Sequence, residues 1–72
     1  MKTFLELFAL AYLTPEEIRA EANIPIETIY AARNGKQISE RDARRILKIV
    51  NSRLRTAIQF TELDVSKIQW ES

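Results

Sequence analysis

The chain has no histidine and no cysteine, and among its 72 residues only one glycine and two prolines. Without an imidazole or a thiolate, the commonest acid-base group and the strongest side-chain nucleophile are missing, and one glycine cannot build a Gly-rich phosphate loop. Disulfides and thiolate zinc sites are excluded on the same ground. Three of the carboxylates are explained by helix starts: Glu16, Glu17 and Asp42 each fall in the first turn of an expected helix, where neighbours do not converge on one point. The chain is therefore not expected to be an enzyme, and no cofactor, metal or small-molecule ligand is expected. No apolar run approaches the roughly 20 residues of a membrane span. The apolar stretch from Phe4 to Leu13 is interrupted by Glu6 and is too short for a signal peptide, so it is read as a helix. Charge of one sign is also lacking, since eleven basic residues face ten acidic ones for a net +1. A nucleic-acid reading must then rest on where the charges lie.

What is present is an ordinary globular balance, 46% hydrophobic and 29% charged. With so few helix breakers it favours one all-α domain with short loops. A domain this small has a marginal core unless extra packing or a partner supplements it.

The organising stretch is LTPEEIRAEANIPIETIYAARNGK, Leu13 to Lys36. Thr14 is a good N-cap, Pro15 suits the first helical position, and Glu17 is placed to complete a capping box. Leu13 and Ile18 can close a hydrophobic staple, and Ala22 extends the apolar face by one turn. Asn23 tolerates a left-handed conformation, and the Ile24-Pro25 step disfavours helix through Ile24, so the chain must turn there. From Ile26 the spacing of Ile29 and Ala32 restarts a helix, which Asn34-Gly35 ends. Two helices of about eight residues joined by three or four read as helix-turn-helix.

The run LTPEEI, then Ala22-Asn23-Ile24, Glu27-Thr28-Ile29, Asn34-Gly35-Lys36, and Ser39 opening a helix with Leu47-Lys48-Ile49, resembles the Cro/C1-type (xenobiotic response element) helix-turn-helix family of bacterial and phage repressors. The resemblance covers Met1 to about Leu54, and its specific parts are Ile18, Ala22, Ile24 and Ile29 at fixed spacing with the NGK after the second helix. Two positions depart from it: Asn23 stands where the family usually has Gly, and Arg19 where it usually has a small residue facing the recognition helix. Arg19 is expected to snorkel or to pair with an acid such as Glu27. The resemblance implies a compact five-helix lambda-repressor-like domain, a partner of double-stranded DNA, and a cytoplasmic, nucleoid-associated or phage-encoded setting.

In chain order, Met1 to Tyr12 is the expected first helix, with Phe4, Leu5, Phe8 and Tyr12 at helical spacing. Leu7, Leu10 and Ala11 make it apolar on nearly every side, so a second face must be covered either by the C-terminal segment or by another subunit. After Gln37-Ile38, Ser39 caps a helix from Glu40 to about Arg55 whose inner face is Ala43, Ile46, Leu47, Val50 and Leu54. Arg41, Arg44, Arg45, Lys48, Arg53 and Arg55 gather six of the eleven positive charges on its other side. That stripe reads either as a solvated face or, near Arg41, as a phosphate contact. Residues 1–55 form the family-like core. Thr56 to Ser72 is a packing or dimerisation segment, in which Phe60 before Thr61, with Asp64 and Val65 following, repeats the staple-plus-cap pattern and predicts a short helix from about Glu62 to Lys67, and Ile58, Phe60, Leu63, Val65, Ile68 and Trp70 are too many apolar groups for a free tail.

With Ile29 and Ala32 inward, the second motif helix presents Pro25, Ile26, Glu27, Tyr30 and Ala31 as candidate base contacts, which the resemblance places at the major groove. No Asn, Gln or Arg stands at its front for the common bidentate contacts, but Ile26 and Ala31 can touch thymine methyls and Glu27 can accept from cytosine N4. Thr14, Thr28, Arg33, Asn34, Lys36 and Arg41 are the candidate phosphate contacts, together with the backbone N–H groups at the Thr14 cap. The reading is a sequence-specific transcriptional regulator, repressor-like, acting as a homodimer on a palindromic operator through the C-terminal segment with Phe60 or Trp70 at the interface. Two alternatives remain open: the same fold as a protein-interaction module (antitoxin, antirepressor or accessory factor), or an architectural factor of phage excision or plasmid maintenance.

Overall fold

A computed structural model of the chain describes residues 1–64, 66, 68 and 69. Four α-helices run in order, α1 (Phe4–Ala11), α2 (Pro15–Ala22), α3 (Ile26–Arg33) and α4 (Glu40–Leu54). Two two-residue strands, β1 (Ile38–Ser39) and β2 (Ile68–Gln69), join them, with a 3-10 turn at Phe60–Glu62. The expected helical domain is found as a mostly helical one, with four α-helices in place of five and a small parallel strand pair among these residues. β1 and β2 pair in parallel, Ile38 opposite Ile68 and Ser39 opposite Gln69, with α4 as the crossover between them. None of the helices is long and apolar enough to cross a membrane.

Each start follows its cap. Thr3, Thr14 and Ser39 accept from the backbone N–H groups of Glu6, Glu17 and Asp42, each at 3.2 Å. The first helix begins at Phe4 rather than Met1 because Lys2 is bound elsewhere. Its N–H donates to the Glu62 carbonyl at 2.9 Å and its own carbonyl accepts from Asp64 N–H at 2.7 Å. Those two bonds form a bridge of Lys2 with Leu63. They also explain why no helix starts at Glu62: Leu63 is extended, and the Asp64 carboxylate accepts from the Ser66 N–H and hydroxyl in an Asx turn. Val65 and Lys67, the rest of that predicted helix, lie outside the described residues.

Each helix is ended by a left-handed residue, Tyr12 (φ 52°), Asn23 (φ 56°), Gly35 (φ 74°) and Arg55 (φ 56°). At Gly35 the pattern is a Schellman motif, with Lys36 N–H on the Ala31 carbonyl at 2.8 Å and Gly35 N–H on Ala32 at 3.3 Å. Tyr12 and Leu13 repeat it on Ala9 and Phe8, at 3.3 and 2.9 Å, and Leu13 and Ile18 are both buried, as the staple requires. Only one of the four reversals uses glycine, so three carry the crowding of a Cβ at positive φ.

The core joins all four helices. The seven expected core residues Phe8, Ile18, Ile24, Ile29, Ile46, Leu47 and Val50 are buried, and so are Phe4, Leu7, Ala11, Ala43, Phe60, Leu63 and Ile68. On α1 the buried face is Phe4, Leu7, Phe8 and Ala11; Leu5 and Tyr12, at helical spacing with Phe8, are 58% and 88% exposed, and Leu10 is 64% exposed. Thus Phe60, Leu63 and Ile68 fold back onto their own chain. Asn51 ties down the connection: its amide donates to the Ile58 carbonyl (3.0 Å) and its carbonyl accepts from Ile58 N–H (2.9 Å) and the Thr56 hydroxyl (2.8 Å).

Two substitutions check this packing. Ile29→Ala is expected to cost about 2 to 5 kcal/mol in denaturant unfolding, the range for truncating a buried aliphatic side chain, and an unchanged midpoint would put Ile29 outside the core. Tyr12→Gly is expected to raise stability by about 0.5 to 1 kcal/mol, because it relieves the left-handed strain and loses almost no packing at an 88% exposed side chain. A lower midpoint for that variant would refute the strained-cap account.

Candidate nucleic-acid interface

The candidate surface is built on α2, the corner and α3. Thr14 holds a complete capping box, in which Glu17 Oε1 accepts from the Thr14 N–H (3.1 Å) and hydroxyl (3.2 Å). The Thr14 donors offered to phosphate by the sequence reading are therefore already engaged within the chain. α2 closes on left-handed Asn23, whose N–H donates to the Arg19 carbonyl at 3.1 Å, and the Arg45 guanidinium, reaching across from α4, donates to the Ala22 carbonyl. Arg19 is exposed and forms none of the ion pairs found among the described residues, so the expected pairing with Glu27 is absent there.

Ile24 is buried, and Pro25 stands at the cap position of α3 with no side-chain hydrogen bond to the helix start. Its carbonyl accepts from Thr28 and Ile29 N–H at 3.0 and 3.3 Å. Pro25 and Glu27 are exposed and Ile26 and Thr28 half-buried, so the uncapped start of α3 opens to solvent. Ala31 is half-buried and packs against the core, which leaves it a weaker candidate contact than Ile26. Asn34, Lys36 and Arg41 are exposed, while Arg33 is half-buried.

Tyr30 is the unexpected hub. Its hydroxyl donates to Glu16 Oε2 at 2.7 Å, and the Arg33 guanidinium lies over its ring, 5.0 Å from the centroid. Tyr30 is a candidate base contact and Arg33 a candidate phosphate contact; here the Tyr30 hydroxyl ties α3 to the start of α2, and Arg33 stacks on its ring within α3. Nothing in the local spacing announces a contact across fourteen residues, because it depends on how the two helices cross. The Tyr30 hydroxyl holds the Glu16 carboxyl below the usual carboxylate range, and Glu16 in turn pushes the Tyr30 phenol up. The Thr14 N–H likewise holds Glu17 down, with Arg53 3.7 Å away as a lesser influence. The front therefore mixes signs, with Glu16, Glu17 and Glu27 set beside Arg33 and Lys36.

Depressed carboxyl pKa values stabilise the folded chain above the ordinary carboxylate range and cease to do so as pH falls through the depressed values. In an NMR titration Glu16 is expected to titrate below the free-glutamate value of about 4.3, and to move up towards it in Tyr30→Phe. A Glu16 curve identical in both proteins would remove the hydrogen bond from the account.

Comparison of the chain with protein-family models, with curated proteins and with solved structures finds no match.

Proposed function

We propose that the chain is a sequence-specific DNA-binding regulator of the Cro/C1 helix-turn-helix type, with α3 as its recognition helix. The observation that carries this is the corner at Asn23. Left-handed Asn23 with Ile24 and Pro25 joins two eight-residue helices, in which Ile18, Ala22, Ile24 and Ile29 are buried, and leaves the start of the second helix without a side-chain cap and open to solvent at Pro25 and Glu27. Ile26 and Glu27 at that start supply base-edge contacts, and Lys36 beyond the Gly35 reversal supplies a phosphate contact. The lambda-repressor-like arrangement and the action on an operator belong to the same proposal. The second reading, a protein-interaction module, is favoured by one observation: Glu16, Glu17 and Glu27 give this front carboxylates that a phosphate backbone repels.

A mobility shift with random-sequence duplex at low salt separates the two. The regulator binds, with affinity falling as salt rises in proportion to its phosphate contacts, about 0.9 in log-log slope for each. Lys36→Ala then weakens all sequences alike, whereas Ile26→Ala or Glu27→Ala changes the preference among them. No binding even at low salt would transfer the case to the interaction module.

Two-fold symmetry is part of the proposal, with recognition helices about 34 Å apart for successive major grooves. Phe60 belongs to the chain's own core, and Trp70 lies outside the described residues, so the self-contact is assigned instead to the outer face of α1, where Leu5, Leu10 and Tyr12 are exposed. Sedimentation equilibrium is expected to find a dimer that Leu10→Glu dissociates; a monomer in the parent chain would leave only half-site binding.

A further inference from the structure

We propose that the outer face of α4 is a second, sequence-independent binding surface for duplex DNA, so that one chain holds a second duplex segment besides the one at α3. The proposal rests on the reading of α3 as a DNA-binding helix but uses none of its residues.

Ala43, Ile46, Leu47 and Val50 bury one side of α4 against the other helices. The opposite side carries Arg41, Arg44, Arg45, Lys48 and, at the terminal left-handed residue, Arg55, all exposed. Arg41, Lys48 and Arg55 recur every seventh residue, about 10.5 Å apart along the axis and about 21 Å end to end. None of the three takes part in an ion pair or side-chain hydrogen bond found among the described residues. Arg44 is bound to Glu40 at 2.8 Å and stacks on the Phe60 ring at 4.2 Å, and Arg45 reaches the Ala22 carbonyl. Glu21 is the acid that lines the shallow groove beside Arg45 and Lys48.

Two physical points make this more than a solvated face. First, Arg41 with Arg45 and Arg44 with Lys48 are i, i+4 pairs, and Arg41 with Arg44 and Arg45 with Lys48 are i, i+3 pairs. All four are like-charged and unfavourable; the acids of α4, Glu40 and Asp42, both stand in its first turn, so none offsets the cations from Lys48 onward. Solvated helix faces interleave acids at this spacing, as Glu40 does for Arg44 at the edge. Second, the array is linear and some 21 Å long, which no small anion spans but which covers about six phosphates of one duplex strand at 3.4 Å per residue. An amphipathic acidic peptide would need several large apolar anchors, and a single strand would need aromatic platforms; beside its cations the stripe offers Ser52 and the half-buried Ile49, and no aromatic ring lines this groove. The phosphate backbone of a duplex is what remains.

The test uses the full chain and a double variant, Lys48→Gln and Arg55→Gln, which leaves the candidate phosphate contact Arg41 in place. Duplex DNA fixed to beads is loaded with protein, washed, and offered a labelled random-sequence duplex. The parent is expected to capture the labelled duplex. The variant is expected to lose capture while still binding the fixed duplex, with its log-log salt slope lower by about 2 for two lost phosphate contacts. Its denaturant midpoint is expected to equal or exceed the parent's, since like-charge repulsion is relieved. Undiminished capture by the variant, an unmoved salt slope, or preferential capture of duplex RNA over DNA overturns the proposal. A parent that binds the fixed duplex but captures no second one overturns it while leaving the regulator reading intact. Binding abolished by the stripe variant, yet untouched by Ile26→Ala with Lys36→Ala, sustains the stripe and removes the regulator reading instead.

Discussion

Three of the four helices are eight residues long, below the length at which a helix persists in water by its own propensity. α1, α2 and α3 therefore exist because each lays an apolar face on its neighbours and on α4, and α4 is the one element long enough to serve as their platform. Caps and left-handed ends do not replace that packing. They satisfy the orphan N–H and carbonyl groups that would otherwise make such short helices fray, and since about half the backbone groups of an eight-residue helix lie within a turn of its ends, termination matters here as much as the core. The single glycine sharpens the point, because a chain forced to reverse at Tyr12 and Arg55 accepts strain in order to keep its helices short.

The C-terminal segment addresses the second constraint, size. A core built from residues 1–55 alone would leave Phe4 and the inner side of β1 uncovered. Phe60, Leu63 and Ile68 close it, with Asn51 standing in for a strand partner along Ile58. Two backbone contacts hold the closure, one to Lys2 ahead of α1 and one to β1 ahead of α4. Both ends of the segment are thus fastened to points where a helix is about to start. The parallel pairing that results spans most of the fourth helix, a non-local contact that forms only once α4 has folded back.

Where short-range chemistry decides the outcome, the sequence was legible. Thr14, Pro15, Glu17, Asn23, Gly35 and Ser39 announce caps and corners from residue type and spacing of four or fewer, and the seven expected core residues follow from the period. What failed needed information from elsewhere in the fold. α1 is apolar all round, so its pattern cannot tell Leu7 from Leu5, and the buried side is the one laid against α3 and α4. The staple grammar at Phe60 misled for the same reason, since pairing with Lys2 pulls Leu63 into extended backbone before a helix can form. At the candidate site, the exposure of Glu27 and Lys36 could be read from the sequence, while Ile26 is half-buried. The Glu16–Tyr30 hydrogen bond could not, because it joins two helices through their crossing.

The net charge of +1 conceals a separation of sign that bears on how such a front would discriminate. α2 and the start of α3 hold Glu16, Glu17, Glu21 and Glu27 against Arg19, whereas α4 and its terminal residue hold six cations against Glu40 and Asp42. On the regulator reading, a recognition surface with its own carboxylates gains little from the phosphate backbone at random sequence, so its non-specific affinity is low from the outset. Glu27 sharpens this. Facing cytosine N4 it gains a charge-assisted hydrogen bond, but facing a carbonyl or N7 acceptor it is a desolvated anion with no donor, and that penalty falls on wrong sites only. Specificity from such a front comes mainly from rejecting mismatched sequences rather than from tight holding of the right one. General attraction to the duplex must then be supplied by cations outside the reading helix.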